Sequence, residues 1–141
     1  MIALFTPVYF NEQHTTCARE YFAMQQLEQK RLQTLPISDR SKGLIIPIVL
    51  RGEERLPAEI KATRQYYNFE KYALCDLRRN NKAYRTELVK IAQYVFERYQ
   101  AFYHLGIDLC KDCLKFKLPT NEEIKPWLRG VISPPLYFER M

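Results

Sequence analysis

The side chains able to do chemistry fall in two short clusters. His14-Thr15-Thr16-Cys17, with Glu20 just beyond, lies near the N-terminus, and Cys110-Lys111-Asp112-Cys113 lies near the C-terminus. Two ligand pairs with two residues between the members of each are a zinc-site spacing. Nothing in the sequence brings the pairs together and Cys75 is left over, so no metal is expected and the thiols are read as packing the tail against the domain. No thioredoxin-type strand and helix flank Cys110 and Cys113, which argues against a redox role. His14 and His104 suggest no Ser-His-Asp arrangement, and no Gly-rich phosphate loop is present. Taken alone, Glu20 is a first-turn carboxylate favoured by the helix dipole and Cys17 a small residue on a buried helix face. Pro134-Pro135-Leu136-Tyr137 formally matches a ligand of proline-binding domains, but a signal so short is explained by chance.

The elements that must position these residues alternate between strand and helix. Ile2 to Phe5 is a short apolar run that Thr6-Pro7 ends, because proline cannot donate to a strand ladder. From Thr15 to Leu32, Cys17, Tyr21, Met24 and Leu27 recur at helical spacing with Phe22 and Ala23 beside them, predicting an amphipathic helix. Leu44 to Leu50 is apolar on both faces, as in a parallel strand covered on both sides, although Pro47 predicts an edge position, a bulge or an early end of pairing. Leu56-Pro57 opens a short helical turn, Tyr66 to Tyr72 offers a third strand, and Asn80 to Tyr103 is a long helix stopped by Gly106. Its stripe of Tyr84, Leu88, Ile91, Ala92, Val95, Phe96, Tyr99, Phe102 and Tyr103 reads as core. A short helix is expected near Asn121 to Arg129. This alternation predicts a parallel α/β sheet.

Composition narrows the class. The chain has 141 residues, 47% of them hydrophobic and 27% charged, with 4 Cys, which is enough for one domain with its own core and excludes low-complexity or disordered architectures. No apolar run approaches the roughly 20 residues of a membrane helix, and the N-terminus lacks the basic region of a secretory signal, so a cytoplasmic protein is expected. The formal net charge is +6. The basic residues are scattered from Arg31 and Lys42 to Arg98 and Lys115 with no block or arm, which reads as a solvated surface and not as a nucleic-acid footprint.

Five segments in order, Thr6-Pro7-Val8-Tyr9, Cys17-Ala18-Arg19-Glu20, Ile45-Ile46-Pro47-Ile48, Leu56-Pro57 and Tyr66-Tyr67-Asn68-Phe69, resemble the third strand onward of Toll/interleukin-1 receptor (TIR) domains of bacterial type. The helix from Asn80 suits that family's last helix. The resemblance covers residues 1–106 and leaves residues 107–141 as a C-terminal extension. It implies a flavodoxin-like fold, self-association, a role in immune or cell-suicide signalling, and an enzyme that hydrolyses NAD+ as substrate without a further cofactor. By the same resemblance Glu20 is the catalytic carboxylate, and Tyr9, Phe10, Thr16 and Cys17 line the substrate site. A carboxylate beside the ribose would stabilise an oxocarbenium-like sugar while neutral nicotinamide departs.

Thr16 stands where the family has tryptophan, so stacking on the substrate would fall to Tyr9, Phe10 or His14. In the strand order 2-1-3-4-5, Ile2 to Phe5 should pair with a first strand that is not in the sequence. The expectation is therefore an open apolar edge, covered by an upstream segment, the C-terminal extension or a partner. The alternative from another class is a non-catalytic TIR-like interaction module.

Overall fold

The computed structural model describes residues 1–73, 81–106 and 117–128. Three parallel strands, β1 (Ile2–Phe5), β2 (Ile46–Val49) and β3 (Tyr67–Asn68), form a sheet in the order β1-β2-β3, flanked by helices. The chain is thus a mixed α/β protein. Helix α1 (Thr15–Leu32) connects the first two strands, and α2 (Ala58–Thr63) precedes β3. Helices α3 (Glu70–Ala73), α4 (Lys82–Tyr103) and α5 (Asn121–Ile124) follow. Among the described residues no helix is long and apolar enough to cross a membrane.

Of the outcomes that Pro47 allows, an edge position is not the one observed, since β2 lies between β1 and β3 and it is the pairing with β3 that is cut short at the proline. Ile46 and Leu50 donate their backbone N–H groups to Met1 and Phe5 at 2.8 and 2.9 Å, so the alternation along the strand turns the Pro47 nitrogen away from β1. On that other side, pairing with β3 begins only at Ile48 opposite Tyr67. The missing N–H therefore falls where no ladder bond is drawn. The third strand is also shorter than the run Tyr66 to Tyr72 predicts. Asn68 Oδ1 accepts from the Glu70 N–H at 2.9 Å, turning the chain out of the sheet and into α3.

Strand alternation divides the core in two. Ala3, Phe5 and Val49 point to one face, where Ala18 and Tyr21 of α1, Ile60 of α2 and Ile124 of α5 meet them. The other face of the sheet carries Ile46 and Tyr67, which pack with Phe69, Tyr72 and Ile91 of α4. Residues 117–128 belong to the first core. Ile124 is fully buried, Trp127 lies edge-on to Phe22 with ring centroids 4.6 Å apart, and the Pro119 carbonyl accepts from Arg19 Nε at 2.7 Å. A capping box between Thr120 and Glu123 starts α5, and those hydrogen bonds from Thr120 hold the Glu123 carboxyl below its usual pKa.

Two helical faces differ from the sequence expectation. In α1 the buried positions are Ala18, Tyr21, Ala23 and Glu28, while Cys17 is exposed. The buried stripe is thus rotated by one residue from the expected one, because it follows Ala18, Tyr21 and Glu28 toward the sheet. In α4 only Ile91 and Arg98 are buried, and Leu88, Ala92, Val95, Phe96, Tyr99 and Tyr103 face solvent. A helix of this width can lay one side on a three-stranded sheet, and among the described residues nothing packs on the other side. The expected first-turn position of Glu20 also fails, since α1 begins at Thr15 and has no acid in its first turn.

Candidate functional site

In open parallel sheets, ligands bind beyond the carboxyl ends of the strands. Here that end is built from three loops. After β1, Thr6 to Asn11 turns back on itself through hydrogen bonds from Tyr9 N–H to the Thr6 carbonyl at 3.0 Å and from Asn11 N–H to the Val8 carbonyl at 3.2 Å. The turn sets the Tyr9 ring 4.4 Å from Phe5 and the Phe10 ring 5.4 Å from it. Helix α1 then starts beyond His14, which leaves Thr16, Cys17 and Glu20 exposed one turn apart along the same side of the helix.

The loop after β1 touches the loop after β2. Gly52 adopts a left-handed φ of 75°, and a Cβ there would stand 2.9 Å from Pro7 Cγ. Proline is a rigid neighbour that cannot swing aside. Gly52→Ala is therefore expected to cost about 2 kcal/mol, combining the left-handed penalty with the close contact, as a lowered midpoint in urea unfolding with an unchanged slope. Just beyond, Glu53 Oε1 accepts from the Tyr66 hydroxyl and Oε2 from Asn68 Nδ2, both at 2.6 Å. That bond to Glu53 is the main reason the Tyr66 hydroxyl titrates higher than usual. Glu70 Oε1 accepts from the Gly52 N–H at 2.6 Å, so two carboxylates fix the loops of β2 and β3.

Of the residues named from the sequence, Cys17 and Glu20 stand within electrostatic reach of the Tyr9 hydroxyl. Burial pushes the Tyr9 hydroxyl well above its ordinary pKa, and the proximity of Cys17 and Glu20 adds to the shift. Thr16 and Glu20 face solvent on the same helix side. Phe10 does not offer an open stacking surface. It is buried in the aromatic core, with ring centroids 5.7 Å from Tyr21 and 6.0 Å from Trp127. His14 is exposed beside the start of α1. Cys75, Cys110, Cys113 and the Pro134-Pro135 segment lie outside the described residues, and among the described residues no group of three or more His, Cys, Asp and Glu side chains could hold a metal.

One ionic pair has no counterpart in the sequence reading. Glu28 of α1 and Arg64, just after α2, form a bidentate bridge, with NH1 to Oε1 at 2.9 Å and NH2 to Oε2 at 2.6 Å. Both side chains are almost wholly buried. Glu28 Oε1 also accepts the N–H groups of Leu44 and Ile45, tying α1 to the chain entering β2. Glu28 sits at the Ala18–Tyr21–Glu28 spacing of the buried stripe, which is the only local trace of it. Its partner is 36 residues away. The Glu53 cluster was equally hidden, because Glu53 reads as an ordinary residue of a polar loop.

Chemically, the carboxyl end of the sheet offers Glu20, an exposed carboxylate whose charge reaches a phenol held neutral, and Glu12, exposed in the loop after β1, whereas Glu53 and Glu70 are engaged in holding loops. No family model matches the chain, and neither a curated protein nor a solved structure matches it.

Proposed function

We propose that this chain is part of a cytoplasmic, flavodoxin-like domain resembling TIR domains, and that it hydrolyses NAD+ in immune or cell-suicide signalling. The observation that carries the reading is the exposed position of Glu20 on α1, the helix that follows the carboxyl end of β1, where its charge reaches Tyr9. Breaking the bond between ribose C1′ and the nicotinamide nitrogen sends the electron pair out with neutral nicotinamide. The Glu20 carboxylate faces the positive charge left on the sugar and stabilises it. Water then adds at C1′ and gives up a proton, leaving ADP-ribose, or a hydroxyl of the substrate adds instead and closes a ring. Tyr9, Thr16 and Cys17 would contact the substrate, and Tyr9 acts as a neutral hydroxyl and a ring face because burial opposes its ionisation.

The test is release of nicotinamide from NAD+, followed chromatographically over a range of protein concentrations. Nicotinamide and ADP-ribose, or a cyclised product, are expected from the parent. Glu20→Gln should lower the rate by about 10²–10³-fold at unchanged thermal stability, since the side chain is exposed. Equal rates in the parent and Glu20→Gln would remove the assignment, and no release by the parent at any concentration would remove the enzyme reading.

A second reading is a non-catalytic interaction module. The exposed apolar side of α4 favours it.

A further inference from the structure

Helix α4 carries a second apolar stripe that nothing covers among the described residues. Leu88, Ala92, Val95, Tyr99 and Phe102 follow one another at spacings of four, three, four and three, with Val89, Phe96 and Tyr103 alongside at intervals of seven. This is the repeat by which one helix packs along another. Yet Leu88 and Val95 are each 43% exposed, Phe96 57%, Tyr99 59%, Val89 63% and Tyr103 68%. Such a contiguous run is not the scattered apolar exposure of an ordinary surface.

We propose that this stripe is a docking face for a second copy of the same chain, with the two α4 helices pairing antiparallel about a two-fold axis near Val95 and Phe96. The inference deepens the interaction-module reading by naming its surface and its partner, and it does not depend on what Glu20 does.

Three observations favour a second copy. The first is charge. Lys82 and Arg85 stand at the N-terminal end of α4, which has no acid in its first turn, and no basic residue stands in its last turn. Each helix thus places cations at the wrong end of its own dipole. Antiparallel pairing lays them over the partner's C-terminal carbonyls, where cations are favoured. The second is the rim. On the helical wheel the solvent-side neighbours near the middle of the stripe, Thr86, Gln93 and Gln100, are uncharged, and Lys82 and Arg85 stand at one end of the helix, far from their own counterparts across the two-fold. The third is area. With about 150–250 Å² for a whole aromatic side chain and somewhat less for an aliphatic one, the exposed parts of the six residues total roughly 650 Å². That approaches the roughly 800 Å² per partner of a stable interface.

The neighbouring strand extends the face. Among the described residues β1 is a sheet edge, and its Ile2 and Leu4 are 51% and 52% exposed. Between Ile2 and the α4 residues Val95, Tyr99 and Phe102 runs an open groove of about 400 Å³, with Arg31 and Arg98 also on its lining. A ring from the second copy can enter it.

Sedimentation velocity on the whole chain from low to high micromolar concentration tests the proposal. A concentration-dependent dimer is expected, and Phe96→Glu and Tyr99→Glu should each weaken it by about 100-fold, as for charges set in the centre of an apolar interface. These positions are exposed, so circular dichroism and urea midpoints should stay near the parent's. A photoreactive benzoylphenylalanine in place of Tyr103 should cross-link to the Leu88–Val89 region of the other copy. A chain that is monomeric throughout overturns the proposal, as does a dimer indifferent to both charge substitutions, and cross-links from position 103 to its own counterpart overturn the antiparallel arrangement. None of these readouts involves NAD+, so a failed dimer and a failed enzyme are separate results.

Discussion

Arg64→Ala is expected to destabilise the fold by about 3–5 kcal/mol, the cost of leaving a buried charge without its partner. The size follows from what remains. Glu28 stays enclosed between α1, the start of β2 and α2, and loses both guanidinium bonds at once. Glu28→Ala should cost a comparable amount, because it orphans Arg64 and two backbone N–H groups together. Replacing both residues by apolar ones of similar size should cost much less than either single change, and urea unfolding of the three variants measures the coupling.

The same pair gives the protein an acid limit. Burial works to raise the Glu28 pKa, but the Arg64 hydrogen bonds and charge, with the Leu44 and Ile45 N–H groups, outweigh it and hold the carboxyl below its ordinary value. A carboxyl depressed in the folded state binds protons more readily when unfolded. Its contribution is therefore complete above the ordinary carboxylate range near pH 4.5 and is lost as pH falls through the depressed value. Stability should be flat toward neutrality and fall on acidification, and Glu28→Gln should flatten the acid slope while lowering stability at pH 7. An unchanged slope would assign the acid limit to other groups.

Tyr21→Ala is the second large effect, at about 3–5 kcal/mol. Tyr21 is fully buried at the centre of the first core. Its ring lies 5.9 Å from Phe5, 5.7 Å from Phe10, 6.3 Å from Phe22 and 6.5 Å from Trp127, with the Arg64 guanidinium 5.7 Å from its centroid. No neighbour can collapse into the space without leaving another. Tyr21→Phe should change stability by less than about 1 kcal/mol, because the buried hydroxyl makes no hydrogen bond of normal geometry. Burial also pushes that hydroxyl's pKa up to about 12, even against the pull of Arg64, so Tyr21 stays neutral across the stable range. A loss on Tyr21→Phe as large as on Tyr21→Ala would mean the hydroxyl is engaged after all.

What the sequence disclosed was what local chemistry controls. β1 and α1 have the bounds their residues predict, because Pro7 stops the one and the Thr15-to-Leu32 periodicity sets the other. The parallel order was legible because two strands separated by a helix allow little else. What it concealed depends on neighbours. The face of α4 that meets the sheet is set by Ile91 with Tyr84 and Tyr94, in a helix whose apolar pattern is broader elsewhere. The turn after Asn68 was missed because the aromatic run hides a side chain that bonds its own backbone. At the candidate site, the removal of Phe10 into the core needed Trp127, more than a hundred residues later.

Pro47 also sets the sliding tolerance of the sheet. Extending β3 backward by one ladder step would set the Gln65 carbonyl opposite a nitrogen that carries no proton, and shifting the whole strand by two residues would put one of its carbonyls in the same place. The extension gains no bond at that step, and the shifted strand forfeits one that the observed alignment keeps. The imino ring thus acts as a detent, selecting one alignment for a strand only two residues long.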